Sequence, residues 1–280
     1  MLEATHITHQ IGHRKLLDNV SLVARPGELV AIAGANGTGK STLLKILSRE
    51  LTPGRGLVSL DNRSVYQFSA LQLARRRAVL AQQNPLAFPF SVYELVLMGR
   101  YPHFEGRPGA EDLAVVDHVM TLTGVTHLAD RAVPTLSGGE QQRVHLAKVL
   151  AQLMAVDELT PPWTLVKTPR YLLLDEPTTG LDLYYQHGLL DIAKAMTRRG
   201  YGVVAILHDL NLIMQYADRV LLLKEGQPVG SGRPVSVLTP AAIQDAFRLS
   251  VEVIRPSEDE PPVIVPVRQP HFYSNTFKFS

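Results

Sequence analysis

From residue 29 onward the chain alternates short, wholly apolar runs with longer stretches in which apolar positions recur every three or four residues. LVAIAG (29–34), YLLLD (171–175), VVAIL (203–207) and RVLLLK (219–224) have strand length and lack the polar alternation of a half-exposed strand, so they predict strands buried on both faces. Thr42, Leu43, Leu44, Ile46 and Leu47 have the spacing of a helix packed on the strand before it. Residues 70 to 154 are mostly helical in pattern, as in AEDLAVVDHVMTLTGV (110–125) and the segment that starts after Ser137. Upstream, LEATHIT (2–8), SLVA (21–24) and the turn Arg25-Pro26-Gly27-Glu28 read as short strands and their punctuation. Strands that alternate with helices predict an α/β core with a parallel sheet, interrupted by a largely helical insertion. Residues 155–170 contain three prolines and read as a loop. Two short strand-like runs, SVEVI (250–254) and PVIVPV (262–267), follow before a last ten residues without strong pattern.

Composition narrows the classes. The 280 residues are 45% hydrophobic and 19% charged, which is ordinary for a globular protein with a sizeable core. Lys and Arg number 28 against 26 acidic residues, and a net charge of +2 gives no electrostatic case for nucleic acid. Without cysteine there is no disulfide, thiolate metal site or cysteine nucleophile. The first ten residues carry an early acid and no apolar stretch, so no secretory signal is expected. The longest apolar runs fall far short of the roughly 20 residues that span a bilayer, and any membrane association is expected to come through a partner.

Chemistry is concentrated in a few places. Gly34, Ala35, Asn36, Gly37, Thr38, Gly39, Lys40 and Ser41 fit the phosphate-binding pattern GxxxxGK[ST], directly after a predicted strand and before a predicted helix. In that context the glycines let successive N–H groups turn inward, and the helix N-terminus adds positive charge, making a cradle for a β-phosphate. Lys40 is expected to reach the β- and γ-phosphates and Ser41 to ligate Mg²⁺. Tyr171–Leu174 leads into Asp175 and Glu176. One carboxylate is then expected at the metal, and the next at the water that attacks the γ-phosphate. Alone, a strand ending in two acids is commonplace; beside a phosphate loop it predicts an NTPase.

Between these motifs stands Leu136-Ser-Gly-Gly-Glu-Gln-Gln-Arg143, and with it the sequence resembles the ATP-binding cassette family over nearly its whole length. Ser137 also suits a helix N-cap and Glu140 the third position of a capping box, and both readings hold together. Gln82, Thr179-Gly-Leu-Asp182 and His208 follow in the family's order. The resemblance implies an α/β P-loop NTPase (RecA-like) core with an N-terminal antiparallel β subdomain and an inserted helical subdomain. It implies an ATPase domain over 1–250, with the helical part at about 83–154, and a C-terminal extension over 251–280. ATP and Mg²⁺ are the implied ligands. Residues 34–42, ending at Thr42, together with Ser137, Gly138 and Gly139 are the implied nucleotide contacts. Glu176, His208 and Gln82 are the implied catalytic residues, and Ser41, Gln82 and Asp175 the implied metal contacts. A head-to-tail homodimer is implied, in which each ATP lies between one phosphate loop and the other copy's Ser137-Gly138-Gly139. The sequence departs from the family pattern in two places. An aromatic residue usually stacks on adenine where Ile11 stands here, with His13 close by, and Thr179 and Gly180 replace the usual Ser and Ala.

LAFPFSVYELVLMGRYPH (86–103) looks like the permease-facing region of iron-siderophore, haem and vitamin B12 importers. QRVHLAKVLAQL (142–153) running toward Trp163, and LHDLNLIMQYADRVLLL (207–223), lean toward haem. The expectation is a subunit peripheral to the cytoplasmic face of the inner membrane, bound to a permease homodimer and served indirectly by a periplasmic binding protein. Ferric siderophore or vitamin B12 is the alternative cargo, and a non-transport cassette ATPase the alternative class. A P-loop kinase or GTPase is disfavoured by the Ser137–Arg143 motif and by the absence of Asn-Lys-x-Asp. His6, His9 and His13 alternate faces if they lie on a strand, which argues against a haem-ligand set and for surface or loop positions.

Overall fold

The computed structural model describes residues 1–82, 88–159, 166–257 and 260–267. Trp163, Leu86, Ala87 and the last ten residues lie outside them. β1 (Leu2–Ile11) and β2 (Arg14–Ala24) form one long hairpin. The chain enters a second sheet through β3 (Leu29–Gly34), turns into α1 (Lys40–Leu47), and returns to the first sheet as β4 (Arg55–Leu60) and β5 (Arg63–Ser64). α2 (Ala70–Ala74) and β6 (Arg77–Leu80) lead to α3 (Val92–Met98), α4 (Ala110–Leu122) and α5 (Gly138–Leu153). Then come β7 (Tyr171–Leu174), α6 (Leu183–Arg198), β8 (Gly202–Ile206), α7 (Leu210–Tyr216), β9 (Arg219–Lys224) and β10 (Gln227–Gly232). α8 (Pro234–Val237), α9 (Pro240–Phe247), β11 (Val251–Ile254) and β12 (Val263–Pro266) complete the described elements.

β1 and β2 are longer than their hydrophobic pattern implies. Ile11 pairs with Arg14 across Gly12-His13, and the register shifts near His6, whose φ is 51°, so the apolar alternation breaks inside a strand that continues. His6 and His13 are exposed.

Among the described residues the strand orders are β2-β1-β4-β5, antiparallel, and β10-β9-β3-β8-β7-β6, parallel except at β10. The central strands are apolar on both faces because each face meets a core. Leu29, Ala31 and Ala33 point to the side covered by α3 to α7, while Val30 and Ile32 point to α1 and the antiparallel sheet. Leu172 and Leu174 divide from Tyr171 and Leu173 in the same way, as do Val220 and Leu222 from Leu221 and Leu223.

Two polar anchors tie the helical insertion together and to the sheet. The buried Arg100 guanidinium donates to Asp112 Oδ1 at 3.0 Å and to the carbonyls of Ala151 and Met154 at 2.7 Å, joining the ends of α3, α4 and α5. Gln152 donates to Ala74 O at 2.8 Å and Arg77 O at 3.0 Å, joining α5 to the start of β6. At the other end of the fold, the Asn211 carboxamide donates to Ile264 O at 3.1 Å and accepts from Ile264 N at 2.7 Å, clasping β12 to the first turn of α7.

Candidate functional site

The parallel neighbours β3, β8, β7 and β6 end on one edge of the sheet, so the residues that follow them are brought together. Crevices of this kind, outside the carboxyl ends of parallel strands, are where open α/β sheets bind ligands. After β3 the chain must curl tightly into α1. Gly34 has φ 148° and a Cβ there would lie 2.3 Å from Leu223 O; Gly39 has φ 95° and a Cβ would lie 2.4 Å from Leu16 O. Only glycine fits at either point, and the curl turns the backbone of the loop toward a cavity of ≈ 580 Å³.

Asn36, Gly37, Gly39, Lys40, Ser41 and Thr42 line that cavity. Gly34, Ala35 and Thr38 support it from behind: Thr38 Oγ1 donates to Ala35 O at 2.9 Å, and Lys40 Nζ donates to Gly34 O and Ala35 O, each at 2.9 Å. Burial pushes the Lys40 ammonium pKa down, while Glu176 and Asp175 oppose that shift. Ser41 Oγ donates to Asp175 Oδ1 at 3.1 Å. Burial pushes the Asp175 carboxyl up; the Ser41 bond opposes that shift and the neighbouring Glu176 charge adds to it.

At the far side Glu176 turns back with φ 50°. Its Oε2 accepts from Gln82 Nε2 at 2.7 Å and from Thr179 Oγ1 at 3.5 Å, and its Oε1 lies 2.8 Å from His208 Nε2. Gln82 follows β6, Glu176 follows β7 and His208 follows β8, so three adjacent strands aim three side chains at one point. A carboxylate fixed on both oxygens beside a phosphate cradle is placed to hold or deprotonate a water.

Ser137, Gly138 and Gly139 are not brought to this cavity, whose lining contains none of them. Ser137 caps α5: its Oγ accepts from Glu140 N at 3.3 Å and its N–H donates to Glu140 Oε2 at 2.8 Å. Gly138 has open space on its Cβ side, and Gly139 abuts Leu181. Gln142 donates to Pro177 O at 3.2 Å, linking α5 to the segment that carries Glu176.

On the adenine side, Ile11 stands where the family usually has an aromatic residue. Ile11 is 64% exposed and lines no part of the cavity, nor does His13; Arg14 and Leu16 do. The sequence pattern predicts a strand only from Ser21, so it does not reach Arg14 or Leu16. The available signal was the Gly12-His13 pair, short enough for a hairpin turn that opens a strand at Arg14.

A family model described as ABC transporter matches residues 17–160. The chain belongs to the ABC transporter family. As an ABC transporter protein it is 48% identical over 267 residues to the hemin import ATP-binding protein HmuV of Gloeobacter violaceus, covering 95% of this chain and 94% of the relative. HmuV of Methylobacillus flagellatus is 41% identical, with 96% and 97% covered, and HmuV of Plesiomonas shigelloides 43%, with 90% and 97% covered. Among solved structures, a nucleotide-free ATP-binding cassette from an ABC transporter superposes with TM-score 0.70 at 21% identity, covering 89% of this chain and 95% of that one, a likeness of fold. The bacterial ABC transporter cassette MJ0796, solved as a dimer, superposes with TM-score 0.70 at 26% identity, covering 84% and 99%. The family's ligands, ATP and Mg²⁺, fit what is present: the glycine-enforced cradle, the buried ammonium of Lys40, and the Ser41 hydroxyl beside the Asp175 carboxylate. This ABC transporter chain is an ATP-binding and ATP-hydrolysing protein.

Proposed function

We propose that the chain is the ATP-hydrolysing subunit of a haemin importer. The observation that carries the catalytic half is the Glu176 carboxylate, fixed between Gln82 and His208 where the phosphate cavity ends. Residues 34–42 bind the triphosphate, with Lys40 leaving its two carbonyl partners to neutralise the β- and γ-phosphates. Ser41, Asp175 and Gln82 would hold Mg²⁺, which when bound supplies charge neutralisation and a fixed orientation for the phosphate oxygens. Glu176 accepts a proton from water as the water oxygen bonds to the γ-phosphorus. The bond to the bridging oxygen breaks, leaving ADP and inorganic phosphate. His208 holds Glu176 in place before the reaction and faces the γ-phosphate during it.

Ser137, Gly138 and Gly139 act in trans. Their open helix N-terminus meets the γ-phosphate bound by a second copy, so the working unit is a homodimer with two equivalent sites. This reading treats 1–250 as the ATPase domain, with the helical part at 83–154, and 251–280 as an extension.

The coupling surface lies on the helical part. Phe88 and Tyr101 are 66% and 60% exposed, and they stack edge-on with Phe90 and Phe104 at 6.1 and 5.8 Å. Exposed aromatic side chains such as Phe88 and Tyr101 suit contact with a permease helix. Among the described residues no helix is long and apolar enough to cross a membrane, so attachment to the cytoplasmic face goes through that permease homodimer, which a periplasmic binding protein loads. The cargo follows the named relatives, which agree over nearly full length. The test is reconstitution with the permease in lipid vesicles, with haemin, ferric siderophore or cobalamin delivered on its binding protein. Haemin alone is expected to stimulate ATP hydrolysis and enter the vesicles. A response to another cargo would overturn haemin, and failure to assemble with any permease would overturn transport.

A further inference from the structure

Among the described residues, the cavity that would hold the phosphates is lined by the phosphate loop and the start of α1, by the cluster Gln82, Glu176, Thr179 and His208, and beyond these by Arg14 and Leu16. A triphosphate whose terminal phosphate meets Glu176 must therefore carry its nucleoside toward Arg14. A second cavity of ≈ 360 Å³ adjoins on that side; it shares Arg14, Leu16, Asn36 and Gly37 with the first and contains none of the catalytic cluster. Arg14 stands where the two meet.

We propose that the Arg14 guanidinium is the platform on which the purine ring of ATP stacks, in the role an aromatic side chain would otherwise play. This rests on the reading of the larger cavity as the ATP site. Arg14 opens β2 directly opposite Ile11, so its side chain leaves the hairpin beside the cavity mouth. Its Nη2 lies 3.5 Å from Gly37 O, which draws the arm over the phosphate loop. Among the described residues it forms no ion pair, whereas its neighbour Lys15 is engaged with Asp18 at 2.9 Å. Among the described residues no phenylalanine, tyrosine or tryptophan lines the phosphate cavity. Phe247 lines the neighbouring one, but is partly buried and packed against the main core. The guanidinium is planar, delocalised and weakly hydrated, so it offers a face to an aromatic ring where an ammonium offers only a point charge. Leu16, which also lines both cavities, adds an apolar side chain there.

Stacking and phosphate pairing predict different substitution patterns. In the full-length Glu176→Gln chain, which keeps ATP intact, equilibrium binding is measured for Mg-ATP and for inorganic triphosphate. Arg14→Ala and Arg14→Lys are each expected to weaken ATP about tenfold, Arg14→Phe to keep it within about threefold, and triphosphate to bind all four chains alike. Retention of ATP affinity by Arg14→Lys with loss in Arg14→Phe, or an equal loss of triphosphate, would assign Arg14 to the phosphates and overturn the proposal. A loss in Phe247→Leu as large as in Arg14→Ala would move the platform to Phe247. Absence of binding by the parent chain to both ligands would instead overturn the nucleotide site itself.

Discussion

Glu176 carries two oxygens with different partners and a backbone conformation that L-residues adopt at a cost of about 1–2 kcal/mol. That cost is accepted where a sharp turn is needed to bring the carboxylate back over the cavity. Glu176→Gln keeps the shape and the hydrogen bond from Gln82 but cannot take a proton. Its turnover is expected to fall about 100- to 10,000-fold with little change in ATP affinity, measured by single-turnover hydrolysis and equilibrium binding. Turnover within a few-fold of the parent would remove Glu176 from the role of base. Motif order alone put Gln82, Glu176 and His208 on one catalytic list. That their side chains meet depends on the adjacency of β6, β7 and β8, which sequence does not print. Thr179 shows the limit from the other side: as a replacement for the usual serine it reads as a turn variant, yet its hydroxyl points at Glu176.

At the scale of elements, α5 serves two ends. Its N-terminus is fixed by the Ser137–Glu140 capping box, and its flank packs into the main core. His145 lies on that packed flank, and burial, with Lys148 adding to it, pushes the imidazole pKa down to about 4. A histidine held neutral in the fold and titrating near 6.5 when unfolded contributes stability that is complete above pH 6.5 and is lost as pH falls toward 4. The loss amounts to about 3 kcal/mol. Urea unfolding at pH 7 and pH 4.5 is expected to show this drop in the parent and a smaller drop in His145→Leu; identical drops would show that other groups set the acid limb. The helices and buried strands were legible because their apolar spacing reflects two cores facing one sheet. β10 and α9 were not, since β10 is a half-exposed edge strand of Gln, Pro, Val, Gly and Ser, and α9 buries only Ile243 and Ala246. β1 and β2 extend further than the pattern implies because their outer ends pair with each other, and there Leu17 and Val20 are buried among polar positions without a regular alternation, so the hairpin that carries Arg14 leaves only a weak hydrophobic trace.

At the scale of the whole molecule, the structure keeps apart two segments that the proposed trans site would join. One copy presents the phosphate loop, Glu176 and His208 in a cavity, and holds Ser137, Gly138 and Gly139 away from it with the helix start open. Gln142 bonding to Pro177 O connects that helix to the acidic segment, so movement of either is felt by the other. On the proposed reading a second copy supplies the missing segment, and a list of motifs in order could not display this separation. The most direct measurement is sedimentation of the full-length Glu176→Gln chain with and without Mg-ATP. A monomer is expected without nucleotide and a dimer holding two ATP molecules with it. A chain that saturates with Mg-ATP and stays monomeric at every concentration would contradict a site shared between two copies.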